Sequence, residues 1–338
     1  MRYDFGSDNT AGMAPAALQG LIDANAGFAR AYGTDDITAR AADEIRRRLD
    51  ADADIRFVFS GTAANAIALS MLAFPHEGVL AHHAAHVCTD ETGAPGFFGQ
   101  GVGLIGLPGL SGKIDPRALE AALQEPEVGH RQPPAALSLT QSTEYGTVYT
   151  GEELRHLIEP VKAKGYGVHL DGARLANAAA AGFDLTQIAR LGVDALVFGG
   201  AKAGGLCTEA IVLFDKSLAR RLDNRLKQAG QQASKARFLA APFLGMLETN
   251  AWEDGAAHAN LMAQRLAAGI ATRSPWALAH PVEANAVFVR MPAWAHTRLN
   301  ELGWTCYRFD DGSVRFVCSW ATEESVVDEV LEAISGLS

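Results

Sequence analysis

Two side chains in this 338-residue chain have the types that carbonyl-amine chemistry requires. Lys202 lies in Asp194-Ala-Leu-Val-Phe-Gly-Gly-Ala-Lys202-Ala-Gly-Gly, an apolar run opening into glycines, and Asp171 closes the earlier run Val168-His169-Leu170-Asp171. A lysine amine forms a Schiff base with an aldehyde cofactor, and an aspartate holds the proton on that cofactor's ring nitrogen. These are the two groups that a pyridoxal phosphate (PLP) site needs. Glycines let backbone approach a ligand closely. Burial and nearby cations would lower the lysine pKa, which helps it act as nucleophile and then as base. A third group is Phe59-Ser60-Gly61-Thr62-Ala63-Ala64-Asn65. It reads as a strand, a turn and a helix start, whose free N–H groups with the Ser60 and Thr62 hydroxyls favour a phosphate. Each feature alone also has an ordinary reading: a solvated loop lysine, a helix-capping aspartate, a capped structural helix. Their combination is more specific than any of its parts.

The surrounding pattern says what must position them. Helices are expected over 37–49, capped by Asp36 or Thr38, and over 61–73, 151–164 and 185–191, with another starting at Asp115-Pro116. Strands are expected at 57–60, 78–81, 102–107, 135–140 and 167–171, then one ending at Phe198 and one at 211–214. Strands alternating with helices imply crossover connections and an α/β fold with a mainly parallel central sheet flanked by helices. Ligands collect beyond the carboxyl ends of such strands, where Ser60, Asp171 and Lys202 all fall. His169 projects from the same strand face as Asp171 and reads as a packed residue rather than a catalyst. After about Phe238 the pattern changes. A long helical stretch over 240–271, continuous or broken, is followed by strands at 286–290 and 314–318, a helix near 293–302 and a last helix from Glu323. This suggests a smaller C-terminal α+β domain, with residues 1–245 in the large domain and 246–338 in the small one.

Bulk properties narrow the partners. A composition 48% hydrophobic and 20% charged is that of a folded protein. A net charge of −10 without a like-charge block argues against nucleic acid or an anionic membrane as the main partner. The polar start Met1-Arg2-Tyr3-Asp4-Phe5 has no signal-peptide pattern, and no apolar run is long enough to span a bilayer. Cys88, Cys207, Cys306 and Cys318 are scattered, which suits a reducing compartment and a cytoplasmic location. No metal site is expected.

Five stretches together resemble the threonine aldolase family of PLP enzymes, within the aspartate aminotransferase-like (fold type I) superfamily. They are Ser7-Asp8-Asn9-Thr10, Ser60-Gly61-Thr62-Ala63-Ala64-Asn65, Ala85-His86-Val87 with Asp90-Glu91, His169-Leu170-Asp171-Gly172-Ala173-Arg174-Leu175, and Phe198-Gly-Gly-Ala-Lys202. The resemblance implies that Lys202 forms the Schiff base, Asp171 pairs with the ring nitrogen, and His86 stacks on the ring and is a candidate base. It implies that Ser60, Gly61 and Thr62 hold phosphate. Ser7, Arg174 and Arg315 (in Val314-Arg-Phe-Val317) would hold the substrate carboxylate, with Arg174 also near the ring oxygen. A basic residue of a second subunit, Lys227 or Lys235, would complete the phosphate site of a homo-oligomer (dimer or tetramer) whose active site is shared at the interface. Many relatives carry Glu-Asn-Thr-His-Asn where this chain has Gln141-Ser142-Thr143-Glu144-Tyr145, so Glu144 replaces a histidine that contacts the substrate β-hydroxyl there. The implied activity is retro-aldol cleavage of L-threonine, L-allo-threonine or related β-hydroxy-α-amino acids, including phenylserine, to glycine and an aldehyde. The branch implied is a low-specificity or phenylserine-cleaving one. The competing readings are a PLP-dependent β-eliminating lyase, an amino-acid racemase, and a catalytically silent binding protein on this fold.

Overall fold

Leucine, valine and alanine runs bounded by glycine or turn residues form the central sheet. The computed structural model describes residues 2–126, 128–309 and 311–337. The sheet has seven strands: β1 (Asp54–Val58), β2 (Gly78–His82), β3 (Gly103–Leu107), β4 (Pro134–Thr140), β5 (Gly167–Gly172), β6 (Ala195–Gly199) and β7 (Glu209–Leu213). Their order is β1-β7-β6-β5-β4-β2-β3. β3, β2, β4, β5 and β6 are parallel, and β7 runs antiparallel to both β6 and β1. The mainly parallel sheet flanked by helices is therefore as expected.

Strands covered on both faces show buried side chains on both. Along β6, Leu196 and Phe198 enter the core beneath helices Asp36–Leu49 and Arg237–Glu248, while Ala195 and Val197 face helix Gly61–Leu72. Ala63, Ala64, Ala66 and Ala68 keep that helix close to the sheet, so its first turn is brought to the strand ends.

The smaller antiparallel sheet contains β8 (Ala286–Val289), β9 (Tyr307–Arg308) and β10 (Val314–Val317), in the order β8-β10-β9. Its core takes Phe316 and Val287 with Val330 and Ile334 of the last helix. The chain start joins it: Tyr3–Asp4 pairs in parallel with Trp304–Thr305, and Phe5 is fully buried there. Helix Ala251–Arg273 belongs to both cores. Trp252 and Ala256 pack into the large one, Met262 to Ile270 into the small one.

Several local expectations need correction or refinement. The cap of helix Asp36–Leu49 is Asp35, not Asp36 or Thr38; its carboxylate accepts from Thr38 N–H and Thr38 Oγ1 at 2.8 and 2.9 Å. The long 240–271 stretch is two helices, Arg237–Glu248 and Ala251–Arg273, separated by Asn250 in the left-handed region at φ 59°. β1 stops at Val58, leaving Phe59 and Ser60 beyond it. Asp171 lies inside β5, paired opposite Val197, rather than past its end. β7 begins at Glu209, two residues before the expected start.

Candidate active site

The lysine-bearing turn is fixed from three sides. Added Cβ atoms at Gly199 and Gly200 would come within 2.5 Å of the Gly172 and Ala173 carbonyls and 2.3 Å of the Phe243 ring, so only glycine fits. Trp252 Nε1 donates to the Gly199 carbonyl at 2.8 Å and its ring stacks on Phe198 at 4.7 Å. Glu209 accepts from Gly200 N–H at 2.7 Å. These contacts carry Lys202 into a cavity of about 540 Å³, the size range of small-ligand sites. Its walls include Ser60, Gly61, Thr62, Asn65, His86, Glu144, Asp171, Arg174, Lys202 and Glu209.

Lys202 makes no hydrogen bond or ion pair among the described residues. Burial and the Arg174 guanidinium lower its pKa, against the pull of Asp8, Asp171 and Glu209. Burial raises Glu209 to about 7, although the Gly200 N–H and Lys202 favour its ionised form. Asp171 accepts from Ala173 N–H at 2.9 Å through Oδ1 and from Asn65 Nδ2 at 2.8 Å through Oδ2. Beneath it, His169 Nδ1 and Ser138 Oγ are 2.9 Å apart, and burial holds His169 down at about 4, so the ring is neutral. At the helix start, Ser60 Oγ accepts from Ala63 N–H at 3.3 Å. The N–H groups of Gly61 and Thr62 lie in the first turn, without intrahelical acceptors, and a Cβ at Gly61 would meet nothing within 4 Å. An anion has room and donors there.

The acid-base wall follows. His86 Nδ1 meets Glu91 Oε1 at 2.9 Å, and His86 N–H donates to Glu144 Oε1 at 2.8 Å. Glu91, opposed by burial, raises the His86 pKa. Glu144 Oε1 also accepts from Thr140 Oγ1 at 3.0 Å, whereas its Oε2 is buried without a partner. Burial, with Asp171 nearby, raises the Glu144 pKa.

The arginines are placed differently from one another. Arg174 gives both Nε and Nη2 to Asp8, at 2.7 and 2.9 Å, and Asn285 Nδ2 donates to the same carboxylate at 3.0 Å. Its fork is therefore already engaged. Arg315, on β10, donates Nη2 to the Gly6 carbonyl at 2.9 Å and lies 5.1 Å from the Phe309 ring centre. Its Nε is buried without a partner, and burial together with Arg174 pulls it down to about 10.

Eight of the expected site residues thus share one cavity: Ser60, Gly61, Thr62, His86, Glu144, Asp171, Arg174 and Lys202. Ser7, Arg315, Lys227 and Lys235 do not line it. Ser7 Oγ caps the short turn Asp8–Thr10 by accepting from Asn9 N–H at 3.2 Å. Lys227 Nζ sits 5.0 Å over the Tyr32 ring. Sequence reasoning assigned no role to Asp8, Asn65, Glu91, Glu209 or Asn285. The first three stood inside recognised stretches; Glu209 lay two residues before the expected strand, and Asn285 gave no sign.

The donor set fits PLP. An unpaired amine with a lowered pKa, a carboxylate held by two N–H donors, an imidazole and a free helix start surround one cavity.

Known proteins agree with this geometry. The profile of the family described as beta-eliminating lyase matches residues 4–293. The chain is 44% identical over 330 residues to a low specificity L-threonine aldolase of Pseudomonas sp. (strain NCIMB 10558), covering 96% of this chain and 95% of that one. It is 42% identical over 334 residues to the low specificity L-threonine aldolase of Pseudomonas aeruginosa, covering 98% and 96%. Among solved structures it is similar to the Leishmania major threonine aldolase, with a TM-score of 0.93 and 32% identity over 99% of both chains.

Proposed function

The chain belongs to the beta-eliminating lyase family, and from that membership we propose that it is a PLP-dependent aldehyde-lyase. It cleaves L-threonine, L-allo-threonine or related β-hydroxy-α-amino acids, phenylserine included, to glycine and an aldehyde. The observation that carries this reading is Lys202, an amine of lowered pKa without a partner, in the same cavity as Asp171 and the Ser60–Thr62 helix start.

PLP supplies an aldehyde for the lysine and an electron-withdrawing ring that stabilises negative charge at the substrate Cα. The chain's own groups do the rest. Ser60, Gly61 and Thr62 bind the phosphate, and Asp171 holds a proton at the ring nitrogen. Arg315, Arg174 and Ser7 orient the substrate carboxylate, which decides which Cα bond stands ready to break. His86 takes the β-hydroxyl proton as the Cα–Cβ bond breaks, with Glu144 as the second candidate. Lys202, protonated, would then give its proton to Cα, which completes glycine.

Lys227 or Lys235, neither of which lines the cavity of its own chain, would serve the phosphate of a second subunit in a homo-oligomer. The four free cysteines suit a cytoplasmic location, and among the described residues no helix is long and apolar enough to cross a membrane.

Purified protein should be yellow, with borohydride fixing the cofactor to Lys202. A panel of threonine, allo-threonine and phenylserine in both α-configurations should release glycine and aldehyde. Pyruvate and ammonia in their place would establish β-elimination instead, and a protein that never takes up PLP would sink both readings.

A further inference from the structure

We propose that Glu91, bridged to Asp171 through Asn65, is a positioning residue that fixes the tautomer of His86 with its proton on Nδ1 and leaves Nε2 as the atom that accepts a proton. The Glu91 side chain is fully buried. Its Oε1 lies 2.9 Å from His86 Nδ1 and accepts from Asn65 Nδ2 at 2.8 Å. Asn65 Nδ2 also donates to Asp171 Oδ2 at 2.8 Å. An amide nitrogen has two hydrogens, and here each goes to a carboxylate. The flipped amide would set its carbonyl oxygen against both acids, so the orientation is determined.

The rest follows from donor counting. Oε1 accepts from Asn65, and the other oxygen, Oε2, is buried without a partner. With Glu91 ionised, Oε1 has no hydrogen of its own and can only accept, from Asn65 and from the imidazole. His86 Nδ1 must then be the N–H donor. When the ring is neutral, Nε2 is bare, and it makes no hydrogen bond among the described residues. The His86 side chain is 40% exposed and lines the cavity. Its backbone is pinned in turn by Glu144.

The groups acting on the imidazole are Glu91 and Asp171, which favour its charged form, and burial and Lys202, which oppose it. Asn65 joins the two favourable ones, so the acid at the cofactor nitrogen and the acid behind the base share one donor. Glu91 does not line the cavity. It acts by aiming His86 and raising its basicity, the task an orienting carboxylate performs for a catalytic imidazole. That His86 receives the β-hydroxyl proton rests on the aldolase reading; the tautomer does not.

The test uses holoenzyme labelled with 15N-histidine. In the wild type, NMR above the His86 titration should show the proton on Nδ1; a proton on Nε2 overturns the proposal, and this arm needs no variant to fold. In Glu91→Gln the charge is lost, so the His86 midpoint and the acid limb of kcat/KM should both move to lower pH. The plateau kcat should fall roughly tenfold, part of a general base's contribution, with KM within about twofold. Glu91→Asp should keep the limb near its wild-type position. A Glu91→Gln enzyme that loses rate with limb and midpoint unmoved shows a packing role only and also overturns the proposal. If no substrate releases glycine, the aldolase reading fails while the tautomer and midpoint still decide this one.

Discussion

Two walls, at and behind the cavity, are assembled in different ways. The first wall, which we propose handles protons, draws on Asn65, His86, Glu91, Glu144 and Asp171, which lie around the ends of β1, β2, β4 and β5 and are linked by hydrogen bonds. The second wall, which we propose binds the substrate carboxylate, is put together from Asp8 near the chain start, Arg174 after β5, Asn285 before β8 and Arg315 on β10. The first wall needs only the parallel sheet. The second needs the N-terminal segment docked onto the small sheet, and it consumes one arginine in holding itself together. With the Nε–Nη2 edge of Arg174 occupied by Asp8, Arg315 is the cation with unspent capacity. A half-buried guanidinium whose Nε has no partner among the described residues is poised for a carboxylate.

Lys202 lies where the walls meet, and removing it should outweigh any change in either. Lys202→Ala should lower glycine release by roughly 10⁴-fold, as when a covalent catalyst is removed, and abolish borohydride fixation. Full turnover in that variant would take the lysine out of the chemistry and leave the comparison without its centre.

Asp8→Asn attacks the assembled wall. Arg174 would keep its charge with no counter-ion in a site where the partner carboxylate is fully buried. Removing one member of a buried pair costs about 3–5 kcal/mol. The folded-state pKa of Asp8 is lowered, Arg174 and Lys202 outweighing burial. Its stabilisation is therefore present above the ordinary aspartate pKa and lost as pH falls through the lowered one. Chemical denaturation should show the full penalty at neutral pH and a shrinking one in acid. An equal penalty at both would mean that packing, not charge, holds the wall.

Arg315→Ala tests where the carboxylate binds. It should cut kcat/KM for threonine by about 100-fold, or about 2.7 kcal/mol, with far less effect on PLP uptake. If cofactor uptake fell in parallel, Arg315 would belong to the cofactor instead.

The contrast between the walls also explains what the sequence disclosed. Lys202, Asp171 and Ser60–Thr62 were legible because each follows a recognisable apolar strand, and local pattern implies strand ends. Helix Asp36–Leu49 was legible from its amphipathic period. Its cap was not, because Asp35, Asp36 and Thr38 are all capping types and backbone geometry chooses among them. The wall assembled from distant segments was hidden for a different reason. Nothing local marks Asp8 as the partner of Arg174, or Asn285 as the partner of both Asp8 and the Cys318 carbonyl. Glu209 was hidden too, since a charged residue opening a buried strand looks like its solvated end until the Lys202 turn closes over it.

The smallest expected effect falls on Glu144, where the proton-handling wall is least satisfied. Its Oε1 is used twice, while Oε2 has no partner among the described residues, and burial with Asp171 nearby raises its pKa. Glu144→Gln keeps a donor and removes the titration. Activity below the Glu144 pKa should stay within about threefold of wild type, while any wild-type decline caused by its ionisation at higher pH should vanish. Glu144→His is the sharper probe. An imidazole cannot occupy the same two hydrogen bonds to His86 N–H and Thr140 Oγ1 at once, so the group facing the β-substituent changes shape as well as charge. The ratio of kcat/KM between threonine, allo-threonine and phenylserine should shift by about 3- to 10-fold, the scale of a modest pocket change. Unchanged ratios across that panel would make Glu144 a support for His86 alone, leaving substrate choice to the arginine wall.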